Sequence, residues 1–182
     1  MDVSPLNYKL IFEPDLKKFT FAGLESISIN CKKPVNTITM NCAELKIKSC
    51  IVTSGKKIIK SYPKTNEKKE ELQIKLAEKI RGLCTVDLEF EGILNDRLLG
   101  FYRSRYEQNG KTKYLATTQF EAADARRAFP CWDEPEAKAT FEISIIADNQ
   151  FTAISNMPVK TKKKTGKTTL YNFQKTPLVS TY

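Results

Sequence analysis

TVDLEFEG, residues 85–92, alternates without a break: Val86, Leu88 and Phe90 take one parity, Thr85, Asp87 and Glu89 the other. A period of two puts one set on a buried face and the other in water, which is the pattern of a half-buried strand. FTFAGLESISINC (19–31) reads the same way, with Phe19, Phe21, Ile27, Ile29 and Cys31 opposite Thr20, Ser26, Ser28 and Asn30. TFEISIIAD (140–148) repeats it through Phe141, Ile143 and Ile145. Shorter runs of this kind are YKLIFE (8–13), NTITMNC (36–42), ELKIKSCIV (44–52), KYLATTQF (113–120), FTAISN (151–156) and TLYNF (169–173). EELQIKLAEKI (70–80) fits a helix through Leu72, Leu76 and Ile80 or a strand through Leu72, Ile74 and Leu76; its flanking strands and Gly82 favour the strand.

Turn signals separate these runs at Glu13-Pro14-Asp15, Lys33-Pro34, Ser54-Gly55, Asn95-Asp96, Asn109-Gly110 and Thr165-Gly166. Many short strands at this spacing predict an all-β protein, an antiparallel β-sandwich with long loops, built as one domain over residues 1–182.

Hydrophobic residues make up 41% of the 182 and charged residues 28%, an ordinary globular composition. No run approaches the roughly 20 apolar residues of a membrane span. The opening MDVSPLNYKL lacks the charged-then-apolar pattern of a secretory leader. Cys31, Cys42, Cys50, Cys84 and Cys131 are dispersed and odd in number, which predicts free buried thiols and a reducing, cytoplasmic compartment. They are also too far apart for a zinc site of close ligand pairs.

The net charge of +9 raises the question of nucleic acid. The excess lies in KTKKKTGK (160–167), GKKIIK (55–60) and KTNEKKEE (64–71), with no interleaved aromatics to stack on bases. Solvated loops or lysine-protected sheet edges account for these runs, and neither a nucleic acid nor a membrane partner is expected.

Between KYLATTQF and ATFEISII runs a long connection, TTQFEAADARRAFPCWDEPEAKATF (117–141), dense in charges, aromatics and prolines. Asp124 is placed to cap a short turn of Ala125–Ala128, and Asp133 a second at Glu134-Pro135. Arg126, Arg127, Asp133 and Glu134 are expected to pair with each other and with backbone to pin this loop. Phe129 and Trp132 would anchor it in the core. Cys131 is expected to be a buried small residue, since the chain has no histidine to activate it. Asn156-Met157-Pro158 reads as a turn. Loops held on a rigid sheet are where recognition groups sit.

GFYRSRY (100–106), YLATTQFEAADARRAFPCWDEPEAKATF (114–141) and SNMPV (155–159), in this order, carry a resemblance. The chain is similar to the opening domain of the zinc aminopeptidases of the aminopeptidase N family, in wording most like the puromycin-sensitive and tricorn-interacting branch. LNYKLIFEPDLKKFTFAG (6–23) and TPLVSTY (176–182) extend the likeness to nearly the whole chain. The resemblance implies a saddle-shaped β-sandwich that caps a catalytic domain. The family's zinc-binding H-E-x-x-H helix and its G-A-M-E-N segment are both absent here. The expectation is an N-terminal domain of a longer enzyme, cut after Tyr182, with zinc in the parent and none in these residues.

The family's Q-F-E run corresponds to Gln119, Phe120 and Glu121. The resemblance implies that Glu121 holds the α-amino group of a peptide with a free N-terminus, while Gln119 lines the pocket for the first side chain. The missing catalytic domain would be the domain's own partner, and the chain alone would not be an enzyme. The alternative is a stand-alone β-sandwich interaction module. The reading frame downstream of Tyr182 would distinguish the two.

Overall fold

The structure, a computed structural model describing all of residues 1–182, is almost entirely strand. In chain order the strands are β1 (Val3–Asp15), β2 (Thr20–Asn41), β3 (Lys46–Ser54), β4 (Lys57–Ile59), β5 (Ser61–Asn66), β6 (Glu71–Ile93), β7 (Gly100–Gln108), β8 (Lys111–Gln119), β9 (Thr140–Asp148), β10 (Val159–Thr165) and β11 (Thr168–Phe173). Nine of them form one sheet, ordered β10-β11-β9-β1-β2-β6-β3-β4 with β5 paired to β6, and β7-β8 is a separate hairpin. The ambiguous 70–80 segment is strand: Leu72, Ile74 and Leu76 are buried on one face of β6.

Two strands of more than twenty residues hold the architecture together. β2 pairs along nearly its whole length with β6, in two ladders separated by register shifts between Cys31 and Val35 and between Val35 and Thr37. Beyond the shifts β6 exchanges its second neighbour, from β3 on one side to β5 on the other. Bulges of this sort bend a sheet, and the inward residues of both halves join one core of 31 buried side chains. Within it Phe12 makes edge-on contacts with Phe90, Phe101 and Phe129 at 5.6–6.5 Å between ring centres. Phe21 and Phe90 each lie across the ladder from a glycine, Gly92 and Gly23, and their rings fill the space a Cβ would take.

The all-β reading holds, and several of its details need correction. The sheet is mixed, because β1 pairs parallel with β9 (Tyr8 opposite Phe141); parallel neighbours need a long crossover, and here the chain from β2 to the 120–139 loop supplies it. Pro34 does not end a strand: it falls in the β2 register shift, where no ladder donor is required. The Glu13-Pro14-Asp15 turn lies further on, at 16–19, where the Asp15 carboxylate accepts from Lys17 N and Lys18 N at 2.9 and 3.0 Å; Phe19 therefore sits in the turn. FTAISN keeps its alternation, with Ala153 buried and Ile154 exposed, yet is no strand. Alternation sets side-chain direction, but a strand also needs a ladder partner, and β11 is already flanked by β9 and β10.

The lysine runs 55–60 and 159–165 supply the two ends of the sheet order, β4 and β10. Lys160, Lys162, Lys163 and Lys164 are exposed and make no ion pair, as befits a sheet edge kept from pairing with other chains.

The 120–139 connection is stitched down along its length. Asn41 and Cys131 exchange backbone hydrogen bonds at 2.7 and 3.0 Å, and Ala43 N donates to Arg126 O at 2.9 Å. Trp132 N donates to the Tyr8 hydroxyl at 3.3 Å, beneath which Tyr8 stacks on Phe141. The Asp133 carboxylate, wholly buried, accepts from Arg126 Nε at 3.0 Å and from Thr181 Oγ1 at 2.7 Å. Asp133 thus binds across the loop and does not cap the turn after it. Asp124 likewise makes no side-chain cap; its carboxylate takes Arg127 Nε at 2.9 Å. Glu134 is exposed and pairs with nothing, contributing only its carbonyl, to Ala137 N.

Breaking a buried pair from one side leaves the other charge uncompensated, at a cost of about 3–5 kcal/mol. Asp133→Ala should therefore lower the unfolding free energy of the chain by that amount in denaturant titration. Glu134→Ala should stay within about 0.5 kcal/mol of the parent sequence.

Glu25 lies at the parity of Phe21 and Ile27, between Leu10 and Leu88 in the sheet, and its carboxyl is buried without a hydrogen-bond partner. Burial raises its pKa well above the ordinary 4.5, so the folded chain holds the proton longer than the unfolded one. Stability from this proton is complete below pH 4.5 and is lost as pH rises from there towards the folded pKa. The neutral isostere in Glu25→Gln should match the parent at acid pH and become progressively more stable than it from pH 5 to 8. A difference that does not change with pH would show Glu25 charged inside the fold.

Candidate functional site

β8 ends at Gln119, whose ladder partner is Gly100, the first residue of β7. The chain then leaves the hairpin through a turn at 121–124 and a 3-10 turn at Ala125–Arg127. At this corner Phe120 points inward and meets Phe129 edge-on at 5.9 Å, while Gln119 and Glu121 are both exposed. Gln119 and Glu121 thus face outward on either side of Phe120. Gln119 Oε1 accepts from Glu121 N at 3.2 Å, fixing the two residues relative to each other. The peptide bond between Glu121 and Ala122 is cis. Asp124 N closes the turn onto Phe120 O at 3.0 Å.

The charges behind the corner are engaged. Arg127 bonds Asp124 at 2.9 Å, Glu70 at 2.7 Å and Glu44 at 2.5 Å, and Arg126 bonds Asp133 and Glu70 at 3.0 and 3.3 Å. Glu44 also takes Arg97. Burial works against the Arg127 charge, but the Asp124 hydrogen bond and the Glu44 and Glu70 carboxylates outweigh it and hold the guanidinium above its usual pKa. The Glu121 carboxylate, by contrast, has no hydrogen bond and no ion pair in the chain. It stands exposed at the corner with its charge unpaired.

Arg126, Arg127 and Asp133 act in pinning the loop, as their types suggested, whereas Glu44 and Glu70 were not foreseen. They lie 83 and 57 residues from Arg127, and no local pattern announces such pairings. Thr181, the buried partner of Asp133, was likewise not foreseen.

These 182 residues do not fit a zinc site. The chain has no histidine, and no three of its Cys, Asp and Glu side chains gather where they could hold a metal ion. Its five cysteines are free. Burial pushes the Cys31 thiol up to about 11 and Cys42 up to about 12, and raises Cys131 well above its ordinary value, so these thiols stay protonated at neutral pH. Cys131 is fully buried, and the chain has no histidine to activate it. No helix is long and apolar enough to cross a membrane.

Residues 4–182 match the family model of the peptidase M1 N-terminal domain. Among curated proteins the chain is similar to Aminopeptidase M1 of Arabidopsis thaliana, 39% identical over 184 residues that cover 98% of this chain and 21% of that protein. Aminopeptidase 2, mitochondrial, of Saccharomyces cerevisiae is 40% identical over 191 residues, covering 100% of this chain and 19% of the relative. The Alanine/arginine aminopeptidase of the same yeast is 38% identical, covering 100% and 22%. The chain spans about a fifth of the length of these relatives. With the all-β fold, the pinned loop and a match over nearly its whole length, this chain belongs to the peptidase M1 N-terminal domain family.

Proposed function

We propose that this chain is the substrate-clamping N-terminal domain of a zinc metalloaminopeptidase, and that Glu121 receives the α-amino group of a peptide whose first residue is removed. The observation that carries this reading is the free Glu121 carboxylate, exposed at a corner whose neighbouring arginines are already occupied by other acids. An α-amino group, with a reference pKa of about 7.7–8.0, is largely cationic near neutrality and seeks such a charge. A carboxylate at a fixed place measures one residue from the chain end. Gln119, held to Glu121 by the 3.2 Å hydrogen bond, lines the space for that residue's side chain.

The names of the relatives support a peptide substrate with a free N-terminus. Zinc and the hydrolytic step belong to residues of the parent outside this chain, and the remainder of the parent is the partner of the Glu121 corner. The wording of 100–106 and 114–141 supports the puromycin-sensitive and tricorn-interacting branch. Five free thiols support a reducing compartment, the cytoplasm.

In the full-length parent, Glu121→Gln removes the charge and keeps the size. Hydrogen bonds to charged groups contribute about 1.5–3 kcal/mol, so kcat/KM should fall on the order of ten- to a hundredfold or more, with the melting temperature unchanged. Glu89→Gln, at an exposed and unpaired position on β6, should be silent. Parental kcat/KM in both variants would return Glu121 to an ordinary surface role.

A further inference from the structure

Gly100 is placed where two constraints meet. Its φ is +66°, and a Cβ built on it would lie 2.8 Å from Arg127 Cβ and 3.4 Å from the Asp124 carbonyl oxygen. The positive φ alone is common in this chain: Gly55 and Gly110 share it, and a Cβ on either would meet nothing within 4 Å. The crowding is what sets Gly100 apart. A clash at the far end of an arginine would be relieved by a rotamer change, but Arg127 Cβ moves only with its backbone. That backbone is fixed by the Arg127 N to Asp124 O bond of 3.1 Å, and the guanidinium is held by Asp124, Glu70 and Glu44. The other side is the hairpin end, where Gly100 pairs with Gln119. Phe101, the next residue, is buried against Phe12 and Phe21 and resists sliding. Glu121 hangs between the two sides, two residues past Gln119 and three before Asp124.

We propose that Gly100 is a positioning residue for the Glu121 carboxylate: the missing side chain lets the β7-β8 hairpin seat against the Ala125–Arg127 turn, and this contact sets where Gln119 and Glu121 stand. The inference rests on the reading of Glu121 as the amino-group anchor. A side chain at position 100 wedges hairpin from turn and displaces the anchor without touching the substrate. A displacement of about 1 Å at a reacting site can cost on the order of a hundredfold in rate.

The test is a double-mutant cycle in the full-length parent, measuring kcat and KM on an aminoacyl anilide together with the melting temperature. Gly100→Ala should lower kcat/KM on the order of tenfold or more, while Gly110→Ala, with the same positive φ and open space, should stay within about twofold. In the Glu121→Gln background Gly100→Ala should add less than about twofold, because the group it displaces has already lost its charge. An effect of equal size in both backgrounds, or none in either, overturns the positioning role while a deficient Glu121→Gln still supports the anchor. A silent Glu121→Gln overturns the anchor, and the positioning role with it. Gly100→Asn serves as the second variant, since asparagine accepts positive φ more readily but keeps the Cβ. If both Gly100 variants fail to fold and Gly110→Ala folds, the close approach is a folding requirement and the positioning role is wrong.

Discussion

The buried bond between Asp133 and Arg126 is the fastening on which the molecule's distinctive half depends. Its carboxylate is wholly buried, and in one place it ties the 120–139 loop to itself through Arg126 and to the last residues of the chain through Thr181. Arg127 extends the fastening outward to Glu44, just past the end of β2, and to Glu70, just before the start of β6. A twenty-residue connection without regular structure would ordinarily be mobile. Here every few residues meet a partner: Phe120 on Phe129, Arg126 O on Ala43 N, Cys131 on Asn41, Trp132 N on Tyr8, Ala139 on Val179. The loop is thereby tied to the core along its length, up to the exposed corner at its start.

Most of the strands were legible because each has a wet face and a dry one, as in TVDLEFEG and TFEISIIAD. Glu25 shares the parity of Phe21 and Ile27 and so lies on the apolar face, but the strand was read from its apolar residues alone and the buried carboxyl was not foreseen. What alternation does not carry is pairing. It could not separate FTAISN, which lacks a ladder partner, from TLYNF, which has two. Nor could it show that β2 runs through Pro34, or that β1 and β9 lie parallel across a crossover of more than a hundred residues.

At the corner itself, residue type pointed to Gln119 and Glu121 through resemblance, and to the two arginines through chemistry. The partners of those arginines were not legible, since Glu44 and Glu70 sit at element ends far away in sequence. Gly100 was visible only as one letter of a matched motif; its crowding exists in three dimensions alone. The charge of the chain divides accordingly. Lysines gather on the sheet edges, while Asp124, Asp133, Glu44 and Glu70 are taken by Arg126 and Arg127; Glu121 is left unpaired at the corner, as Glu134 is further along the loop.

The role proposed for this domain turns on one piece of geometry, that Glu121 meets the free end of a peptide. A crystal structure of the full-length parent with a bound peptide analogue that retains its α-amino group tests it most directly. The expected result is that amino nitrogen within about 2.7–3.2 Å of a Glu121 carboxylate oxygen. An amino group held wholly by other residues, with Glu121 facing solvent, would contradict it.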